Sequence, residues 1–322
     1  MSYEIEVDTP APPWRGRTDG PGDEHLRWHH AITAYVPEPG SGSVLIGFAS
    51  DEGVARNRGR RGAADGPTAL RSALASMALE RRIPLADAGT ITVGTALETG
   101  QAALGRAVTA ALDGGRLPIV LGGGHEVAFG TYLGVAASRL RQRLPRLGVL
   151  NLDAHFDLRG DATPSSGTPF RQMAEREAEA GTSFRYAVLG ISQPSNTAAL
   201  FDTANRLGVR YLPDERCGIA DRADVDRFVD DFLDDIDIAH LTIDLDVLPA
   251  AVAPGVSAPA AYGVPVEIIQ RVCDRVSAAG KLAVVDIAEL NPAFDIDGRT
   301  ARTGARLLHR IATTHVPVAV PA

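Results

Sequence analysis

The chain has 322 residues, two cysteines and a formal net charge of −8; at about 100–200 residues per domain this length allows two domains, but large α/β enzymes often form one. Its acidic balance excludes a general binder of nucleic acid or anionic membranes, since such partners attract basic surfaces, and so few cysteines imply no disulfide framework and a reducing, cytoplasmic setting. Residues 1–8 have neither a basic start nor an apolar core, so no signal peptide is predicted, and no apolar run reaches membrane-spanning length.

Residues 8–43 are rich in Pro and Gly and carry Trp14, Trp28 and the pair His29-His30 among charges. Residues 1–43 therefore read as an N-terminal arm that winds over the domain or reaches a neighbouring subunit, with His29 and His30 as ordinary surface residues. Residues 44–48 read as the first buried strand. The loop 50–67 is long and punctuated by glycine, which in a compact domain points to function, although Arg58, Arg60 and Arg61 also suit a solvated basic rim. Pro67 then opens a helix to about residue 81, where its missing N–H costs nothing. A strand at 90–93, a helix at 98–112 and a strand at 118–121 continue the alternation.

After that strand, Gly122-Gly123-Gly124 lets the backbone turn tightly before His125 and Glu126; it lacks the Lys-Ser/Thr of a phosphate-cradling loop. Residues 127–143 read as a helix, with Arg141, Arg143 and Arg146 as its solvated end. The apolar run from Gly148 ends in Asp153, His155 and Asp157. Extended backbone at i, i+2 and i+4 would aim all three side chains the same way. The irregular stretch 159–171, with Arg159 and Ser166, follows a strand end, where open α/β sheets bind ligands.

Beyond it come a strand at 186–191, a helix at 195–207 capped by Ser195 or Asn196, and a strand at 209–212. The acidic helix 221–235 turns Val225, Phe228, Val229 and Phe232 inward, so its paired aspartates are a solvated face. The strand from Ile238 delivers Asp244 and Asp246, again two residues apart. A proline-rich loop at 249–265, a helix to about 279 and a strand from Lys281 follow. That strand ends in Asp286, read as bonded to backbone, and Glu289. A helix at 300–311 closes the domain and the tail 315–322 packs loosely. Strands alternating with helices predict one three-layer α/β/α domain over 44–322 with a mostly parallel sheet of about eight strands.

His125, Asp153, His155, Asp157, Asp244 and Asp246 offer imidazole and carboxylate without thiolate, which suits Mn, Fe(II), Co or Zn. Four carboxylates balance two divalent ions, and a pair held at about 3.5–4 Å activates water for hydrolysis.

Gly122-Gly-Gly-His125-Glu126, Asp153-Ala-His155-Phe-Asp157 and Asp244-Leu-Asp246-Val-Leu-Pro249 with Pro254-Gly-Val-Ser-Ala-Pro259 together resemble the three signatures of the ureohydrolases: arginases, agmatinases and formimidoylglutamases. The resemblance runs from about residue 44 to 310. It implies an arginase-like fold, a symmetric homo-oligomer and two Mn2+ per subunit, with other divalent ions possible. His125, Asp153, Asp157 and Asp244 would hold one ion, and Asp153, His155, Asp244 and Asp246 the other. By the same resemblance Asp157 passes a proton to the leaving nitrogen, and Glu289, in Asp-x-x-Glu-x-Asn-Pro, receives the cationic nitrogen group of the substrate.

Arginases and agmatinases carry a His where this chain has Ser166. Ser166-Gly-Thr-Pro-Phe170, Ser50-Asp-Glu-Gly-Val54 and the Arg56-Asn-x-Gly-Arg60 block resemble formimidoylglutamases instead. The implied reaction is hydrolysis of N-formimino-L-glutamate to L-glutamate and formamide in histidine catabolism. Arg159 and Arg60 would grip the carboxylates of this small acidic amidine in guanidinium forks, with Ser166 nearby; an Arg159 paired with a structural Asp is the alternative for that residue. Two other functions compete: another ureohydrolase, agmatinase or guanidino-acid hydrolase, that releases urea, or a catalytically silent metal-binding scaffold.

Overall fold

The computed structural model describes residues 3–320. Among them, nine strands form one sheet: β1 (Thr33–Ala34), β2 (Ser43–Ala49), β3 (Leu85–Thr92), β4 (Leu117–Leu121), β5 (Leu147–Leu152), β6 (Arg185–Ile191), β7 (Arg210–Pro213), β8 (Ile238–Asp244) and β9 (Leu282–Ala288). Their order is β1-β3-β2-β4-β9-β8-β5-β6-β7, with every pairing parallel. The central strands are apolar runs buried along their whole length, as expected where helices cover both faces. Successive residues of one strand feed opposite cores: Leu45, Ile119 and Leu150 join one cluster, and Val44, Val120 and Val149 the other. The three layers follow from that alternation.

The strand beyond the expected eight is β1, a two-residue piece of the arm that pairs with Ala86 and Asp87. The arm is firmly seated. Trp28 is fully buried and donates Nε1–H to His309 Nδ1 at 2.9 Å, while Trp14 donates to Asp87 Oδ2 at 2.9 Å. His29 Nδ1 lies 2.8 Å from the Ala75 carbonyl and is half-buried, so it is less of a surface residue than its polar surroundings suggest.

Several boundaries differ from expectation for identifiable reasons. β3 starts at Leu85, before the predicted strand, because the buried Asp87 is neutralised by a two-point pairing with Arg71 at 2.9 Å. The helix opened by Pro67 stops at Ala75, where the chain turns to pair with the arm through the Trp28 N–H and the Met77 carbonyl. The helix predicted over 127–143 breaks at Ser138, whose hydroxyl caps a second short helix by accepting the Arg141 N–H at 3.2 Å. Arg141 is not solvated: it pairs with buried Glu177 at 2.8 Å, which also accepts from Tyr132. The tail is tied rather than loose, through His315 Nε2 to the Leu282 carbonyl and the Val316 N–H to the Ser277 carbonyl. Residues 1–2 of the arm and 321–322 of the tail lie outside the described residues. Among the described residues, no helix is long and apolar enough to cross a membrane.

Candidate metal centre

Four contiguous strands, β4, β9, β8 and β5, point their carboxyl ends at one place. The loop after β4 brings His125, the end of β9 brings Glu289, β8 brings Asp244 and Asp246, and the loop after β5 brings Asp153, His155 and Asp157. All seven surround one cavity or support its floor, and the cavity measures about 320 Å3.

The ligand segments are not extended past their strands. β5 ends at Leu152, and Asp153 Oδ1 accepts the His155 N–H at 2.6 Å; β8 ends at Asp244, whose Oδ1 accepts the Asp246 N–H at 2.8 Å. In both places an aspartate turns the chain by bonding the backbone two residues on. The expectation that a pleated strand aligns the residues at i, i+2 and i+4 is therefore corrected: a side-chain-bonded turn converges them. Asp157 completes the bend at φ +48°.

The first group is His125, Asp153, Asp157 and Asp244, and the second Asp153, His155 and Asp246, with candidate ligand atoms within 4.8 Å of one another. His125 Nδ1 lies 3.1, 3.0 and 3.1 Å from carboxylate oxygens of Asp153, Asp157 and Asp244, yet it is buried and aligned with none of them as a hydrogen bond. A lone pair and three carboxylates meeting at one point suit a cation. His155 Nδ1 sits 3.1 Å from Asp246 Oδ2 and 3.5 Å from Asp153 Oδ1. Of the two aspartates expected to bridge, Asp153 belongs to both groups; Asp244 joins the first only, its Oδ1 facing the Asp246 N–H.

The electrostatics carry the same message. Burial together with the charges of Asp246 and Asp153 pushes Asp244 well above the usual carboxylate range, and burial with the Asp153 charge raises Asp157. Burial would also raise Asp153, but His125 and His155 more than offset it and hold it low. Burial lowers the imidazole of His125, yet Asp153, Asp157 and Asp244 drive it well above its ordinary value. Packed carboxylates without a cation must borrow protons, and hard divalent ions would replace those protons.

Behind the ligands runs a buried chain of hydrogen bonds. Thr242 Oγ1 donates to Asp286 Oδ1 at 2.5 Å and so accepts from His125 Nε2 at 2.9 Å, while Asp286 Oδ2 lies 2.6 Å from His240 Nε2. This fixes the proton of His125 on Nε2 and leaves Nδ1 as the donor atom for an ion. Asp286 is thus bonded to side chains, not to backbone as its strand-end position suggested.

Glu289 sits at φ +67° with its N–H on the Gly123 carbonyl, and its carboxylate accepts the His125 N–H at 2.9 Å. Burial and the neighbouring Glu126 raise it to about 8. Glu126 itself, raised by burial to about 7, accepts from Ser50 Oγ and the Gly53 N–H and so anchors the arginine-rich loop. Gly123 tolerates no side chain, since a Cβ there would fall 1.8 Å from the Ser50 carbonyl oxygen.

Arg159, Arg60 and Ser166 all line the cavity. The Arg60 guanidinium, however, donates to the Val256 and Ser257 carbonyls and lies 4.0 Å over the Phe294 ring. Ser166 Oγ accepts from Asn57 Nδ2 at 3.1 Å, latching the two loops together. Asn196, read as a helix cap, instead clamps the metal loop: Oδ1 accepts the Phe156 N–H and Nδ2 donates to the Ala154 carbonyl. Asn57, Arg58 and Asn196 are cavity residues that sequence reasoning missed. The Arg-Asn-x-Gly-Arg block was the available signal for the first two; Asn196 had none beyond following a strand.

Residues 41–313 match the Arginase family. The formimidoylglutamase of Nocardia farcinica is 67% identical over 312 residues, covering 96% of this chain and 98% of that protein. That of Rhodococcus opacus is 64% identical, covering 96% and 97%. A crystal structure of Trypanosoma cruzi formiminoglutamase with Mn2+2 superposes with a TM-score of 0.76 at 27% identity, covering 85% of this chain and 93% of that one. Formimidoylglutamase from Bacillus subtilis gives 0.78 at 22% identity over 88% and 90%, a likeness of fold.

Proposed function

This chain belongs to the arginase family, and from that premise we propose that it hydrolyses N-formimino-L-glutamate to L-glutamate and formamide. The observation that carries the reading is the convergence of the complete two-His, four-Asp donor set with Glu289 in one cavity that also holds Arg159. The His/Asp cluster and the Mn2+2-containing relative support a binuclear metal site of the arginase type, and Mn2+ is the ion we assign to it. His125, Asp153, Asp157 and Asp244 would hold one ion; Asp153, His155 and Asp246 would hold the other. When bound, the pair supplies hydroxide from water near neutral pH and offsets negative charge developing on the substrate.

The chain's own groups do the rest. Glu289 accepts the N–H of the formimino group, a charge-assisted bond that a neutral amide would not match. Asp157, at the cavity wall, accepts a hydrogen bond from the attacking hydroxide and passes its remaining proton to the departing glutamate nitrogen. Arg159, two residues further on, binds a substrate carboxylate. Asn57 and Ser166, bonded to each other, hold the two bordering loops at a fixed separation. With Ser166 where arginases and agmatinases carry a His, the cavity favours an acidic substrate over a cationic amine.

The test offers the Mn-loaded protein N-formimino-L-glutamate, L-arginine, agmatine and 4-guanidinobutyrate in parallel and measures formamide and urea. Formamide from the first alone is expected. Urea from a guanidino substrate, with nothing from formiminoglutamate, would overturn the reading.

A further inference from the structure

Among the described residues, one guanidinium of the arginine-rich loop meets no hydrogen-bond acceptor or carboxylate. Arg56 is held by Glu52, Glu98 and the Thr95 and Pro164 carbonyls, Arg60 by the Val256 and Ser257 carbonyls, and Arg61 by Asp51 and Glu52. Among the described residues, Arg58 and Arg159 are the cavity-lining arginines whose side chains engage neither a hydrogen-bond acceptor nor a carboxylate. The backbone singles out Arg58 a second time. Four non-glycine residues among those described have positive φ: Arg58 at +62°, Asp157 at +48°, Glu289 at +67° and Asp297 at +55°. The first three line this same cavity.

A left-handed backbone is unfavourable for any side chain with a Cβ, and such strain persists where surrounding contacts enforce it. Here the Arg58 N–H bonds the Ala55 carbonyl, the Gly59 N–H bonds the Val54 carbonyl, and the Arg60 N–H bonds Ser257 Oγ. A glycine would meet that geometry without strain, yet the position carries a long cation whose guanidinium, among the described residues, meets neither a hydrogen-bond acceptor nor a carboxylate.

We propose that Arg58 binds the side-chain carboxylate of the substrate, opposite Arg159, and so selects α-amino dicarboxylates. The assignment rests on the formiminoglutamate reading. That substrate presents two carboxylates, and each needs a cation. Arg159, two residues after Asp157, takes the carboxylate beside the reacting nitrogen. Arg60, expected from sequence to be the second clamp, is engaged with carbonyls and acts as a positioning residue, holding the loop on the Ser257 segment so that Arg58 faces the opening.

The test compares wild type, Arg58→Ala, Arg58→Gly and Arg58→Lys on N-formimino-L-glutamate and on N-formimino-L-glutamine, whose side-chain carboxylate is an amide. Loss of a charge-assisted pair predicts a KM for the dicarboxylate raised about tenfold to hundredfold in the Ala and Gly variants, with kcat little changed. Lys recovers part of the loss. Kinetics on the glutamine analogue stay the same in all four proteins, and Arg58→Gly melts no lower than wild type because its backbone strain is relieved. An unchanged KM for the dicarboxylate, or an equal rise for both substrates, would overturn the assignment while leaving the function intact. A wild type that released no formamide would overturn the functional reading, and this assignment with it.

Discussion

His125 can ligate an ion only through Nδ1, because Thr242 holds its Nε2 and Asp286 in turn holds Thr242. The oxygen of Thr242 therefore decides the imidazole's tautomer and its orientation at once. Such a support is worth roughly tenfold to hundredfold in metal affinity. Thr242→Val, nearly isosteric but without the hydroxyl, is expected to weaken the tighter ion by about that factor in calorimetric titration. Unaltered affinity in that variant would show that His125 orients itself. The six candidate donor residues stood out in the sequence because carboxylate and imidazole side chains lay at the ends of apolar runs, where burial without a partner makes no physical sense; the fold brings them together in two groups that could each hold an ion. Which of the cavity-lining loop arginines keeps an unengaged guanidinium was not legible. Arg60 is occupied by carbonyls of residues 256 and 257, almost two hundred positions away, while among the described residues the Arg58 guanidinium meets no such acceptor.

Elements seat the centre through contacts that alternation alone does not reveal. Periodicity located the strands; it could not locate the two turns at Asp153 and Asp244, which depend on an aspartate oxygen meeting a backbone N–H two residues away. Nor did the polar, proline-rich arm announce that Trp28 is fully buried against the closing helix Arg299–Thr314. The bond from Trp28 Nε1 needs a neutral His309 as acceptor. Burial, with Arg306 and Arg310 adding to it, holds His309 below its ordinary value of 6.5. Below about pH 6.5 the unfolded chain then binds a proton that the folded protein resists, so stability is complete above that pH and declines as acid is added. Melting temperatures between pH 7.5 and 5 are expected to fall less steeply in His309→Gln, whose amide can still accept the bond. Identical slopes in both proteins would remove His309 from the acid response. His315, lowered by burial, acts in the same direction and remains in both proteins.

On the scale of the whole molecule, the order of the sheet is what assembles the chemistry. The chain lays β4, β9, β8 and β5 side by side, so residues from positions 125 to 289 share one cavity at the carboxyl edge of the central strands. The cost is a buried concentration of negative charge. Asp153, Asp244 and Asp246 are nearly inaccessible and Asp157 only partly open, and Asp244 and Asp157 are pushed toward their protonated forms by their neighbours. Two divalent ions would cancel four carboxylates and release the protons those groups otherwise hold. The most direct check is to strip the protein with a chelator and titrate Mn2+ back in, following formamide release from N-formimino-L-glutamate against ions bound per chain. A centre that works through both ions gives no turnover without metal and a plateau at two ions per chain. Full turnover by the stripped protein, or a plateau at one ion, would contradict it.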